Sequence, residues 1–351
     1  MPVNQSVFDE ILDNALLVFR YAASQRAATI KRLEELEKKL VAQLAEEAVT
    51  TRQKRRVETF LKETSSTIDK HYKIIQADFE YEKLARAVAV DLQYGIQIAL
   101  GYEGLYLPTH YFASVNSDIL ILGAPSADWW RGQSEDLKLK FGQQVRQGLN
   151  NNETNQQIIS RIVGKSGEPG VMEVAKRHAA TLVQTSVQTV ANDARRNTFL
   201  ANKDVISGIQ QVSTLDSHTS LTCVAYSECK WDLEFKPIGR KKLPYNGGTP
   251  RHMNCRSLEV PITKTFAELG LKNVPEAATS TRASDEGQLK ADITFNAFLK
   301  RKSQAYQDEM LGKGRADMWR KGKITLKDLV DGKGRPLTLA ELEALIAAKR
   351  R

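Results

Sequence analysis

Neither glycine nor proline occurs between Val3 and Tyr94. Those two residues end helices most readily, one through backbone freedom and the other through a missing donor. A stretch this long without either, carrying an apolar stripe, is constrained to long helices. Phe8, Ile11, Leu12, Ala15, Leu16 and Phe19 recur at three- and four-residue steps, and Leu33, Leu36, Leu40 and Leu44 continue the pattern. A turn is expected near Ser65-Ser66, followed by a helix over about 68–100 with Ile75, Phe79, Leu84, Val88 and Leu92 inward. Gly95, Gly101, Gly104 and Pro108 then break the pattern, and a domain boundary is expected near Gly101. Residues 1–102 balance acidic against basic side chains, which fits a helical bundle and equally an arm that packs on partner subunits.

The central region is also mostly helical. Leu137, Phe141 and Val145 share one face of a helix expected over about 134–149. Thr154 to Gln157 has the spacing of a capping box before Ile158 and Ile162. Gly164-Lys165-Ser166-Gly167 lacks the earlier glycine of a phosphate-binding loop and is read as a helix end. A long helix over about 173–201 buries Val183, Val187, Val190, Ala191 and Ala194.

All three cysteines lie between Thr214 and Ser257: Cys223, Cys229 and Cys255, with His252 three residues before the last. Ile209 to Leu215 and Leu258 to Ile262 read as short strands on either side of a long loop, and Asp216 to Thr219 reads as a side-chain-bonded turn. The pattern is a two-stranded knuckle stapled at its base. Three thiolates and one imidazole, Cys223, Cys229, His252 and Cys255, make a closed tetrahedral zinc set. The alternatives are small buried hydrophobes, or a disulfide between two of the three. Ser220 is not a ligand in the zinc reading.

Thr214-Leu215-Asp216-Ser217-His218-Thr219-Ser220-Leu221-Thr222-Cys223, followed by Pro250-Arg251-His252-Met253-Asn254-Cys255-Arg256-Ser257, resembles the signature of the phage minor head protein family, typified by the minor head protein of phage Mu. Many members have cysteine where this chain has Ser220 and arginine where it has His218. The likeness spans roughly Trp129 to Thr263. It implies a structural, non-enzymatic protein of the phage head, assembled in the host cytoplasm. Its place would be at or near the portal vertex or inside the procapsid, with portal, scaffold and major capsid protein as partners and an oligomer around the portal. Two other functions remain: an internal virion protein ejected with the DNA, and a zinc-dependent hydrolase or nuclease built on Asp216, His218, Cys223 and His252.

The expected architecture is mainly α with a small α+β domain. It comprises a helical arm over 1–101, a minor-head domain with the Cys/His knuckle over 102–265, and a linker with a basic helical tail over 266–351. Residues 266–287 are polar and without period. Phe295, Phe298, Leu299, Trp319, Leu326, Leu329, Val330, Leu337, Leu339, Leu342 and Leu345 then give a small helical module. The net charge is +9, and most of it falls after residue 281, which permits contact with packaged DNA. No apolar run approaches the length that spans a bilayer, the first residues lack the layout of a signal peptide, and so few cysteines suit a reducing compartment.

Overall fold

The computed structural model describes residues 5–46, 54–265, 267–269, 281–290 and 292–349. In chain order the elements are α1 (Gln5–Glu46), α2 (Lys54–Ala77), α3 (Tyr81–Leu100), α4 (Thr109–Asp118), the two-residue strands β1 (Leu120–Ile121) and β2 (Ala124–Pro125), α5 (Ser126–Asn150) and α6 (Asn155–Val163). Then come the two-residue strands β3 (Gly164–Lys165) and β4 (Glu168–Pro169), α7 (Val171–Ala201), β5 (Ile206–Val212), α8 (Leu221–Tyr226), β6 (Lys230–Asp232), β7 (Pro237–Ile238) and β8 (Leu258–Thr263). The hairpin β9 (Thr281–Ser284) and β10 (Gly287–Lys290) and the helices α9 (Phe295–Arg301), α10 (Gln304–Leu311), α11 (Lys313–Arg320) and α12 (Leu339–Lys349) complete the chain. The protein is mainly α with a small α+β part.

The chain forms two compact units, which cross the boundaries expected at 101 and 265. One contains residues 19–84 and 114–187; the other contains 1–18, 85–113 and 188–351. Among the described residues, the regular elements of the first are helices and two tiny hairpins. Leu33, Leu36, Leu40 and Leu44 of α1 are fully buried there, as are Ile68 and Ile75 of α2, Leu137, Phe141 and Val145 of α5 and Ile158 and Ile162 of α6. Thr154 caps α6 in a complete capping box, and Gly164 closes it with φ 106°, a conformation glycine reaches without strain.

Three local expectations change. Ser65-Ser66 makes no turn: the Ser65 hydroxyl donates to the Leu61 carbonyl (2.7 Å) and Thr64 to that of Phe60 (3.1 Å), so hydroxyls back-bond along an unbroken α2. The break falls instead after Ala77. Gly95 does not end α3. It lies inside the helix, where an added Cβ would meet the Glu10 Cβ of α1 at 2.7 Å, so it serves close helix approach. The inward stripe at the start of α1 is Val7, Ile11, Ala15 and Val18, while Leu16 is 54% exposed. The side chain of Phe8 lies outside the described set.

The second unit holds the sheet. Its strands run β7-β6-β5-β8, all antiparallel, with Gly208 opposite Ile262, Gln210 opposite Val260 and Val212 opposite Leu258. The two expected knuckle strands therefore pair directly, and two short strands extend them. Val7 and Ile11 of α1, Leu92 and Ile96 of α3 and Phe199 of α7 form one core with Ile206, Ile209 and Val260 of the sheet. The first turns of the presumed arm are thus part of the sheet's own core.

The tail is likewise no separate module. Phe295, Phe298, Leu299, Leu311, Ala316 and Leu329 share a core with Leu215, Val224, Tyr226, Cys229 and Trp231. Much of the polar stretch over 266–287 lies outside the described residues, but its end forms the β9–β10 hairpin, bridged to the knuckle through Leu215 and Ser284. Arg282 of β9 is 2% exposed. It donates to Glu228 (2.8 Å), to the carbonyls of Ser213 and Ile293, and to the Ser227 hydroxyl.

Candidate metal centre

The centre is built from three short pieces of backbone. After β5, Asp216 makes the expected turn: its Oδ1 accepts from the His218 amide (3.1 Å), and Thr219 Oγ1 lies 3.0 Å from the same oxygen and 2.7 Å from the Thr214 carbonyl oxygen. Ser220 then caps α8, its hydroxyl accepting from the Cys223 amide at 3.2 Å. That cap places Cys223 on the first turn, facing the loop before β8. In this loop the Cys255 amide donates to the His252 carbonyl (3.2 Å), and Asn254 takes φ 57°, a left-handed conformation that asparagine tolerates. The tight turn sets the His252 ring and the Cys255 sulfur on the same side.

Two clasps hold the pieces together. Arg256 forks onto Asp216 with Nη1 to Oδ2 at 2.7 Å and Nη2 to Oδ1 at 2.8 Å. Ser213 donates to the Cys223 carbonyl (2.9 Å), and Ser257 donates to Ser213 (3.0 Å). The Asp216 carboxylate is therefore committed to the fold, and His218 is exposed. Among the described residues, neither belongs to the group that could hold a metal ion.

Cys223 Sγ lies 3.3 Å from His252 Nε2 and 3.5 Å from Cys255 Sγ. Among the described residues, Cys223, His252 and Cys255 form a group whose ligand atoms all lie within 4.8 Å of one another, and which could hold a metal ion. Both sulfurs are buried, while His252 is partly exposed. His252 Nδ1 lies 2.8 Å from the Met253 carbonyl oxygen, which keeps the proton there and leaves Nε2 as a lone pair toward the sulfurs. The pair of thiols shares its protons unequally. The hydrogen bond with Cys255 and burial push Cys223 well up, whereas the bonds from Cys223 and His252 hold Cys255 well below the usual thiol range. The bond to Cys255 raises His252, against the opposing effect of burial. A lowered thiol beside a raised imidazole is a pair whose protons metal binding would displace, since ligands bind deprotonated.

Cys229 does not join the group. The spacing of six from Cys223 carries it out of α8 to the edge of β6, where its carbonyl accepts from the Gln211 amide (3.0 Å) and its Sγ lies 3.7 Å from the Ala225 carbonyl oxygen. It is fully buried in the core with Tyr226 and Trp231, and burial pushes its thiol up to about 11. A residue set aside from the sequence lies beside the group instead: Ser220 Oγ, 2.8 Å from His252 Nε2.

Sequence reasoning also missed the polar residues that frame the centre. Arg251 donates to Gln211 (2.7 Å) and the Tyr245 carbonyl (3.0 Å) and lies 3.5 Å over the Tyr226 ring. Glu259, 1% exposed in β8, accepts from the Thr249 amide (2.6 Å), Tyr245 (2.9 Å) and Arg196 (3.2 Å). A charged residue within an apolar strand is the one signal that could have marked Glu259. No protein family, curated protein or solved structure matches the chain.

Proposed function

We propose that the chain is a structural minor head protein of a tailed phage, acting at or near the portal vertex or inside the procapsid during head assembly. One observation carries this reading. The two sequence segments that resemble the family signature lie 26 or more residues apart, yet they close on each other through the Asp216–Arg256 fork and the Cys223, His252, Cys255 group. Their polar side chains are spent on holding the knuckle, which suits a scaffold for contacts rather than a reaction centre. Zinc, held by Cys223, His252 and Cys255, is the metal of this reading, and it would tie the two segments of the knuckle together. Portal, scaffold and major capsid protein are the partners of this reading, around an oligomeric ring at the vertex.

The test is stoichiometry in purified particles. A few copies per particle, lost when particles are assembled without portal, support the assignment. Equal incorporation with and without portal refutes the portal-vertex placement, and absence from particles refutes the function.

A second reading, ejection with the genome, is favoured by one feature. The tail's charge is partly neutralised internally, through Lys302 with Asp285 and Arg335 with Glu341. Lys321, Lys323, Lys327 and Lys333, however, are all exposed along one short stretch. Full particles that contain the chain and emptied ones that lack it would decide for this reading, whereas equal amounts would decide against it.

A further inference from the structure

Two edges of the Cys223–His252–Cys255 triangle, and the separation of Ser220 from His252, approach those of a tetrahedral cage. With metal–sulfur bonds near 2.3 Å and metal–nitrogen or –oxygen bonds near 2.0–2.1 Å, a tetrahedron has S···S edges of about 3.8 Å, S···N edges of about 3.6 Å and N···O edges of about 3.3 Å. The corresponding separations are 3.5 Å for the two sulfurs, 3.3 Å for Cys223 Sγ to His252 Nε2 and 2.8 Å for Ser220 Oγ to that nitrogen. Each is a few tenths of an ångström short, the contraction expected of groups that hydrogen-bond to one another and would part around an ion.

The geometry points to a metal centre with three strong protein ligands and a fourth, exchangeable corner at Ser220, open to a small monodentate anion. The inference rests on the zinc reading above. A neutral serine hydroxyl is a weak donor to a metal beside two thiolates. Ser220 Oγ is moreover already engaged as the cap of α8 through the Cys223 amide, so its lone pairs are partly committed and a metal would hold it more weakly still. The direction of access fits as well. Cys223 and Cys255 are 2% and 1% exposed, whereas Ser220 and His252 form the partly exposed side of the group. Two thiolates neutralise a divalent ion, so a monoanion can add at modest electrostatic cost, and the Arg256 guanidinium lies close enough to act on His252 by charge. The class of ligand is therefore a small monodentate anion from solution.

The experiment uses the full chain loaded with cobalt(II), whose visible bands report coordination, and azide as the probe. In the wild type, azide should shift the bands saturably. Ser220→Ala should respond in the same way. Ser220→Cys should bind cobalt more tightly, show charge-transfer absorption stronger by about one half because three thiolates replace two, and ignore azide. A wild-type spectrum inert to azide overturns the open corner while leaving the metal centre intact. Failure of every variant to take up cobalt or zinc overturns the metal reading and this inference with it. If the variants do not fold, the azide response of the wild type decides alone.

Discussion

Ile11→Ala tests whether the start of α1 belongs to the sheet's core. Ile11 has no exposure and packs with Leu92, Ile96, Phe199, Ile209 and Val260. The substitution removes three carbons, worth about 2.4 kcal/mol of transfer free energy at ~0.8 per buried methylene. A cavity term is added, because helices α3 and α7 and the sheet are each held by other contacts and collapse only in part; the total is about 3–4 kcal/mol. For a unit of this size that lowers the melting temperature by roughly 7–15 °C. The assay is urea or thermal unfolding followed by tryptophan fluorescence, since Trp231 sits in the neighbouring core of the same unit. Leu16→Ala, at a position 54% exposed on the same helix, is the control and should fall within about 0.5 kcal/mol of wild type. Equal, small effects of the two substitutions would refute the shared core and restore a free N-terminal arm. Deleting residues 1–95 should by the same logic unfold the sheet rather than leave a soluble remainder.

Three further outcomes follow from the centre and its frame. Purified protein should carry about one zinc per chain, lost with Cys255→Ser but kept with Cys229→Ser; metal analysis decides, and loss with Cys229→Ser would return Cys229 to the ligand set. Glu259→Ala should cost about 3–5 kcal/mol in a denaturant melt, because it leaves the Arg196 charge and the Thr249 amide buried without their partner; a cost under 1 kcal/mol would mean the carboxylate is not the anchor of that loop. Burial holds the Cys229 thiol up to about 11 against an ordinary 9.0, so between those values the unfolded chain has lost a proton that the folded chain keeps. Stability should therefore fall as pH rises from about 9 to about 11, and Cys229→Ala should flatten that part of the profile; an unchanged slope would refute the assignment.

The helices were legible because their signals are local. Leu33 to Leu44, Leu137 to Val145 and the Thr154 capping box depend only on neighbours three or four residues away. So were the two knuckle strands and the Asp216 turn. What was not legible depends on distant partners. Val7 rather than Leu16 faces inward because the sheet it meets begins some two hundred residues later. Gly95 is a contact with Glu10, although in sequence it looks like a helix end. Arg282 reads as part of a polar linker, yet four acceptors from separate segments draw it inside. At the centre, ligand counting favoured Cys229 over Ser220 because sulfur is the better ligand. The backbone brings other atoms together: α8 puts Ser220 and Cys223 beside the His252 ring, and the chain has left the helix by position 229.

The centre and the tail meet on the same short helix. One side of α8 carries Cys223 toward His252 and Cys255, and the rest of the short helix sends Val224 and Tyr226 into the core shared with α9, α10 and α11. Its outer edge is tied to the chain's last third by Thr222 donating to the Gly334 carbonyl (3.2 Å) and by Asn246 bridging Tyr226 and the Gly332 carbonyl at 3.0 and 3.3 Å. A helix of six residues has little stability of its own. It persists because a core fixes one side and the Cys/His group fixes the other, so removing either loosens its grip on the remaining one. A metal at Cys223 would therefore stabilise the packing of the tail as well as the knuckle, and the basic tail that a DNA contact would use is positioned through the same six residues.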